Sequence, residues 1–431
     1  MQLWLRFGLT PPDLDSLASS IALAYLSSTL HATPMVPLFL TPNSLMRLRP
    51  ENLLALKHAN IPVDVLIHPE TLPNSLTTQD LSSQGVHFAL VDHNRLLPLF
   101  GNGEVDVIVD HHVDEEVHKG AETRLIQVPT GSCASLVTQL FRQSWKAATS
   151  SPAGAAGSPI PPELATLLLS AIAIDTSGLK DGGKAVETDF EAASFLYPKS
   201  TFTASDPTLS NSEMSITSIS GIPPAFTEFS DLLIQHKYDV SALSTHDLLI
   251  RDYKEYILPT SSQSFPSLQV GLSTVPMAIK KSLEQESNGW TSYVATLDQY
   301  MGEKNLDIEG VLSTYKSEKK GKHRRELLIL VRSGGSIKTS EEAKRVRDEL
   351  VKGLEADGGV LGLEVWGEKA DSSKLKKRAK EGKEVLDSGE GGRWGMVWLQ
   401  GNAKATRKQV APLLVSRPLC LFTVITDTMV C

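Results

Sequence analysis

The stretch Asp106–His118, DVIVDHHVDEEVH, runs from a short apolar segment into an acid and two imidazoles, Asp110, His111 and His112. Other apolar segments of the first half also end in acids. Asp13 and Asp15 follow the first segment in GLTPPDLDS, Asp92 follows HFALV, and Asp175 closes LLLSAIAID. Each has a plain reading by itself. Asp15 before Ser16 and a helix could be an N-cap, Asp92-His93-Asn94 a loop, and Asp175-Thr176-Ser177-Gly178 a helix exit. In an open parallel sheet, however, functional groups collect in the crevice at the carboxyl ends of the strands. That rule brings these distant acids to one place. Crowded carboxylates repel one another unless cations sit among them. Carboxylates mixed with imidazole suit Mn²⁺, Mg²⁺ or Co²⁺ better than a thiolate-preferring metal. The set as a whole therefore predicts a binuclear metal site.

Such a site needs a scaffold of parallel strands. MVPLFL, VDVLIH, VHFALV and VDVIV are short Val/Ile/Leu-rich runs, and LWLRF reads as a further strand before them. DSLASSIALAYLSSTL reads as an amphipathic helix with Leu17, Ile21, Tyr25 and Leu30 near one face. ENLLALKHAN, SCASLVTQLFRQSWKAA and PELATLLLSAIAIDT are further helices, the last with Pro at its start. GSCASL, at the start of its helix, could hold a phosphate on backbone N–H groups or be a plain helix start. In the second half, AFTEFSDLLIQHKYD, EEAKRVRDELVKGL and SSKLKKRAKEGKEVLD read as helices. DLLIRDYKEYIL, SLQVGLSTV, ELLILV and WGMVWLQ read as strands. The expected architecture is α/β: a parallel-sheet domain over 1–199 with a flexible Pro/Gly/Ala/Ser-rich insertion at 148–162, a connection at 200–224, a smaller mixed-sheet domain over 225–415 and an atypical tail at 416–431.

Bulk properties narrow the function. A chain of 431 residues, 41% hydrophobic and 21% charged, can build more than one core. Its formal net charge of −8 argues against a broad nucleic-acid surface. Three scattered cysteines show no ligand or redox spacing and suit a reducing compartment. Cys133 reads as a small buried residue. No apolar stretch is long enough to span a bilayer. The lysine-rich segments KSEKKGKHRR and KLKKRAK read as solvated faces. A cytoplasmic monomer without nucleic-acid or membrane partners is expected.

DLDSLAS, LVDHN, VDHH and AIAIDTS, in this order, resemble the four motifs of the DHH phosphoesterase family. DLLIRDYKEY, VGLSTVP and GNAKATRKQVAP are similar to the accessory DHHA2 domain of the subgroup that holds exopolyphosphatases, prune-type proteins and family II inorganic pyrophosphatases. The style of LVDHN, GSCASL, IDTSGLK and RDYKEY looks most like eukaryotic exopolyphosphatases. The resemblance runs from about Gly8 to about Leu414. It implies that Asp13 and Asp92 hold one divalent cation, that Asp15, Asp92, His111 and Asp175 hold the other, and that Asp92 bridges. It implies catalytic roles for Asp92 and His112, with His112 facing the substrate phosphate and Asp110 supporting the histidines. Lys254, Arg407 and Lys408 match the family's phosphate-binding residues, which would place the site between two domains that close on the substrate. Where relatives carry His or Asn in the first motif this chain has Leu9, which cannot ligate.

The activity so implied is a two-metal exopolyphosphatase, which releases orthophosphate from the ends of inorganic polyphosphate. The alternatives are a prune-like nucleotide phosphodiesterase, an inorganic pyrophosphatase, or a non-catalytic relative that keeps the fold.

Overall fold

The computed structural model describes residues 6–10, 13–73, 76–150, 160–180, 182–203, 221–317, 321–356, 359–368 and 372–415, with backbone alone at 6–10, 150 and 415. The chain divides between Asp239 and Val240 into two compact units. The first contains β1 (Arg6–Thr10), α1 (Leu14–Leu30), β2 (Met35–Phe39), α2 (Pro50–His58), α3 (Thr78–Ser83), β3 (His87–Val91), β4 (Glu104–Asp110), β5 (Thr123–Ile126), α4 (Cys133–Ser150), α5 (Pro162–Asp175), α6 (Glu187–Leu196) and α7 (Pro224–Tyr238). Its strands form one parallel sheet in the order β2-β1-β3-β4-β5.

Alternation along the strands splits each apolar run between two cores. Ala89, Val91, Val107 and Val109 face α1, α4 and α5. Phe88, Leu90 and Ile108, between them in sequence, join Leu72, Leu81 and Phe100 on the opposite face. This is why the strands read as continuous apolar runs. Helix α5 is apolar all round: Leu164 to Ile174 are all buried, and it packs against α1, α2, α4, α6 and α7.

Two readings of this half need correction, and one element was not read at all. Of the stripe assigned to α1, Leu17 is buried and Ile21 and Leu30 pack partly buried against the core; only Tyr25 departs, and burial extends well beyond the stripe. Tyr25 is 37% exposed, whereas Ser16, Ser19, Ser20, Ala18 and Ala22 are buried. The helix lies between the sheet and α5, so its small residues set the close approaches. VDVLIH is not a strand. Pro62 precedes a single 3₁₀ turn at Val63–Val65, and only Ile67 makes an isolated bridge, to Leu38. β5 carried no signal, since all four of its residues are half-buried.

The second unit contains α8 (Thr245–Arg251), β6 (Tyr253–Pro259), β7 (Ser267–Val275), α9 (Ile279–Gln285), α10 (Trp290–Glu303), β8 (Ile308–Lys316), β9 (His323–Arg332), α11 (Ser340–Glu355), β10 (Leu363–Val365), α12 (Ser373–Asp387), β11 (Arg393–Gln400) and α13 (Arg407–Val415). The sheet order is β10-β11-β9-β8-β7-β6. Only β7 and β8 pair in parallel, so the sheet is mixed, as expected. Leu272, Ile308, Leu327 and Ile329 pack against α11 and α13 on one face. DLLIRDYKEYIL is half helix. Ser244 and Asp247 form a capping box that starts α8, and the strand begins only at Tyr253.

The expected insertion at 148–162 and connection at 200–224 fall largely outside the described residues, and the tail at 416–431 wholly so. Leu9 sits in β1 with its backbone in register with Leu38 and Leu90. Its side chain is outside the described set. Among the described residues, no helix is long and apolar enough to cross a membrane.

Candidate metal centre

Four elements of the first unit deliver the acids. Asp13 is the N-cap of α1 and accepts the Ser16 N–H at 2.9 Å. The capping role considered for Asp15 therefore belongs to Asp13. Asp15, one half-turn on, points inward and is 1% exposed. It sits on the first turn of α4, accepting the Cys133 N–H at 2.6 Å, the Ala134 N–H at 3.0 Å and the Ser132 hydroxyl at 2.7 Å. A carboxylate at a helix N-terminus satisfies donors that would otherwise be orphaned.

Asp92 follows β3. Strict alternation after Val91 would send its side chain to the face of Phe88 and Leu90. Its backbone instead turns left-handed, with φ 66°, while its N–H still bonds Val109 O at 2.9 Å. The turn brings the carboxylate to α1, where it accepts the Ser16 hydroxyl at 2.5 Å. Aspartate tolerates this conformation better than most residues. Asp175 is the last residue of α5.

The DHH triplet closes the set. His111 Nδ1 donates to Thr130 O at 3.0 Å, which leaves Nε2 3.0 Å from Asp92 Oδ1 and 3.8 Å from Asp15 Oδ2. Asp110 is fully buried. It accepts His112 Nδ1 at 2.9 Å, the His112 N–H at 3.1 Å and Asn94 Nδ2 at 2.5 Å. Asn94 also accepts the Glu115 N–H at 2.9 Å, so it ties the DHN turn to the loop after the triplet. His112 remains half exposed.

Electrostatics mark this group. Burial, then the charge of Asp92, raises Asp15 to about 6, against the opposing pull of His111 and Ser132. Burial, then Asp13, raises Asp92 to about 6. Burial, then Asp15, raises Asp175 to about 8. Burial works against charging His111, yet Asp92 and Asp15 outweigh it and lift the ring to about 9. Burial also opposes ionisation of Asp110, but its hydrogen bonds from His112 and Asn94 hold it below the usual carboxylate range. A protein that crowds acids until they resist ionising is short of positive charge at that point.

Ligand atoms of Asp15, His111 and Asp175 lie within 4.8 Å of one another, as do those of Asp92, His111 and His112. The two trios share His111. Asp92 Oδ1 is buried and makes no well-formed hydrogen bond; its near neighbours are the imidazole nitrogens of His111, at 3.0 Å, and His112, at 3.6 Å. A buried carboxylate oxygen faced by imidazole nitrogens, next to a second trio that shares His111, fits a divalent cation, and the O/N donor set fits Mn²⁺, Mg²⁺ or Co²⁺. Asp13 belongs to neither trio, and His112, expected to face substrate, belongs to one.

The GSCASL helix start is not available to phosphate. Asp15 takes the Cys133 and Ala134 N–H groups, and Asp189, a residue sequence reasoning missed, takes those of Gly131 and Ser132. Ser16 and Ser132 were missed too, since a serine gives no signal until its partner is placed. Cys133 is buried with Sγ 3.2 Å from Val109 O, and burial, reinforced by Asp15, pushes its thiol up.

Family models match both halves of the chain: the DHH family N-terminal domain over residues 7–172 and the DHHA2 domain over 231–416. The chain is a DHH–DHHA2 protein. A Schizosaccharomyces pombe protein described as "Putative exopolyphosphatase" is 29% identical over 410 residues, covering 94% of this chain and 88% of its own length. A crystal structure of a Methanococcus jannaschii "putative family II inorganic pyrophosphatase" aligns with TM-score 0.46 and 20% identity over 88% of this chain and 99% of that one. A Bacteroides fragilis "exopolyphosphatase-related protein" aligns with TM-score 0.37 and 14% identity over 77% and 79%.

In this DHH–DHHA2 chain the second-unit residues singled out by motif lie around the start of β6. Lys254 is exposed on β6, and Arg407 and Lys408 open α13. Lys408 is exposed. The Arg407 guanidinium donates to Asp252 O at 2.9 Å and Asp252 Oδ1 at 2.8 Å, with Leu272 O at 3.3 Å. It already serves as a clasp between α13 and the β6–β7 end.

Proposed function

We propose that this DHH–DHHA2 protein is a divalent-cation-dependent exopolyphosphatase that cleaves terminal phosphoanhydride bonds of inorganic polyphosphate. The observation that carries the reading is the pair of ligand trios that share His111, one of them including the buried Asp92 carboxylate. The name of the curated relative supports polyphosphate over other phosphoanhydrides.

In this reading Asp15, Asp92, His111 and Asp175 hold two divalent cations, with Asp13 and His112 completing their surroundings. Mn²⁺ and Mg²⁺ are the leading candidates and Co²⁺ the third. Bound there, such cations lower the pKa of a water toward neutrality and offset phosphate charge. The remaining work falls to side chains. Asp110 fixes the His112 ring through Nδ1 and leaves Nε2 for the phosphate. Asp92 and His112 are the residues proposed to touch the reacting groups. Lys254 and Lys408 supply point charges, and Arg407 a fork suited to phosphate oxygens.

The test is orthophosphate release from long polyphosphate, pyrophosphate and cyclic AMP, each with and without Mn²⁺ or Mg²⁺. Cation-dependent release from polyphosphate in preference to the other two is expected. Preference for pyrophosphate or cyclic AMP would replace the substrate, and no release under any condition would overturn the enzymatic reading.

A further inference from the structure

Asp189 lies in the first turn of α6, 57 residues after Ser132 in sequence, and is completely buried. Among the described residues it makes no ion pair. Its carboxylate is instead filled by four donors. Oδ2 accepts the Gly131 N–H at 2.9 Å and the Val186 N–H at 2.8 Å, and Oδ1 accepts the Ser132 N–H at 3.2 Å and the Ser135 hydroxyl at 2.6 Å. A carboxylate offers about four lone-pair sites, so none is left over. The backbone comes down hard on it: a Cβ at Gly131 would stand 2.6 Å from Asp189 Oδ2 and 2.7 Å from Thr176 Cγ2. Only glycine fits there, and the close approach locks the loop against both α6 and the end of α5.

That loop orients two of the proposed cation ligands. Its Thr130 carbonyl accepts His111 Nδ1 and so settles which ring nitrogen faces the carboxylates. Its Ser132 hydroxyl and the next two N–H groups hold Asp15. Thr176, packed on Gly131, adjoins a third, Asp175. One buried carboxylate thus sits behind three ligand positions, in α1, just after β4 and at the end of α5.

We propose that Asp189 is a positioning residue for the metal centre, acting through the 130–134 loop without touching cation or substrate. The inference rests on the reading that Asp15, His111 and Asp175 bind divalent cations. Groups standing behind metal ligands typically matter ~10–100-fold in affinity.

The experiment is Mn²⁺ titration of the full chain by calorimetry and electron paramagnetic resonance, alongside the thermal midpoint without metal. Asp189→Asn keeps the size but turns an NH₂ group against N–H donors. It should weaken Mn²⁺ binding ~10–100-fold in protein that remains folded. Asp307→Asn is the control. Asp307 is an equally buried carboxylate of the second unit, accepting the Gln269 N–H at 2.9 Å and the Ser336 N–H at 2.7 Å. It should lower the midpoint and leave Mn²⁺ affinity alone. Ser135→Ala removes one donor with little threat to folding and should weaken Mn²⁺ binding by a smaller factor, so the question stays open to test if Asp189→Asn does not fold. Unchanged affinity in Asp189→Asn, or in Ser135→Ala where that variant must stand in, overturns the inference. Equal weakening in Asp189→Asn and Asp307→Asn also overturns it, as a mere loss of stability. Absence of stoichiometric Mn²⁺ binding by the wild type would instead sink the metal-centre reading itself.

Discussion

Asp92 concentrates the cost of the site in one residue: a left-handed backbone, a buried carboxylate and close acidic neighbours. Asp92→Asn removes the charge and suits the same backbone, whereas Asp92→Ala adds roughly 1–2 kcal/mol of strain at positive φ. Phosphate release should vanish in both. Without metal, the thermal midpoint of Asp92→Asn should rise above wild type, because repulsion with the neighbouring acids is relieved. A variant with near-normal turnover would remove Asp92 from the reaction. A second buried acid makes a pH prediction. Glu309, on β8, is fully buried, and neither carboxylate oxygen makes a well-formed hydrogen bond. Burial lifts it from 4.5 to about 8, opposed by the Ser273 hydroxyl and N–H. The folded protein therefore keeps a proton that the unfolded chain gives up. Stability falls as pH rises from about 4.5 to about 8 and is level above. The slope attributable to one such group is about 1.4 kcal/mol per pH unit. Glu309→Gln mimics the neutral form, so its advantage in midpoint over wild type should grow between pH 5 and pH 8. A pH-independent difference would show that Glu309 ionises normally.

Among the elements, α13 carries a testable double duty. Arg407 clasps Asp252 and is also the proposed phosphate fork. Arg407→Ala should lower the midpoint modestly and reduce kcat/KM on polyphosphate by one to two orders of magnitude, the equivalent of roughly 1.5–3 kcal/mol for a charge-assisted contact. Mn²⁺ affinity should be unaffected. Unchanged kinetics with a lowered midpoint would leave Arg407 as a clasp alone. Elements also show where the sequence was readable. β3, β4 and α5 were visible because apolar runs need burial on both sides, and α4 because its apolar residues recur at helical spacing opposite exposed polar ones. α8 was hidden, since a helix of seven residues running into a strand gives one unbroken apolar-polar string. Its capping box was the available signal. The site acids stood out by type and by place at element ends. Asp189 did not, because a carboxylate in the first turn of a helix is ordinary until its acceptor bonds to a distant loop are seen.

At the scale of the molecule, every proposed metal ligand lies in the first unit, and α7 contributes Phe226, Phe229 and Leu233 to that unit's own core. A chain ending at Asp239 should therefore fold and bind Mn²⁺ with near-native affinity. Its phosphate release should be severely reduced, because Lys254, Arg407 and Lys408 are gone. Near-normal release from that fragment would deny the second unit a part in binding substrate.

The two-core alternation of β4 makes the order of the DHH triplet a matter of parity. Val107 and Val109 face α1, α4 and α5, the side from which Asp15 and Asp175 arrive, and Ile108 faces away. Asp110 inherits the side of Ile108 and His111 the side of Val109. Composition alone therefore cannot specify this centre. A chain reading His-Asp-His at 110–112 would contain the same three residues and aim the imidazole at Asn94 and the acid at other acids. It should neither bind Mn²⁺ tightly nor turn over polyphosphate. Deletion of one residue between Val107 and Val109, beyond the register shift at Asp106, would invert every side chain after it and should fail in the same way, so length variation in this part of the strand ought to be tolerated only in steps of two.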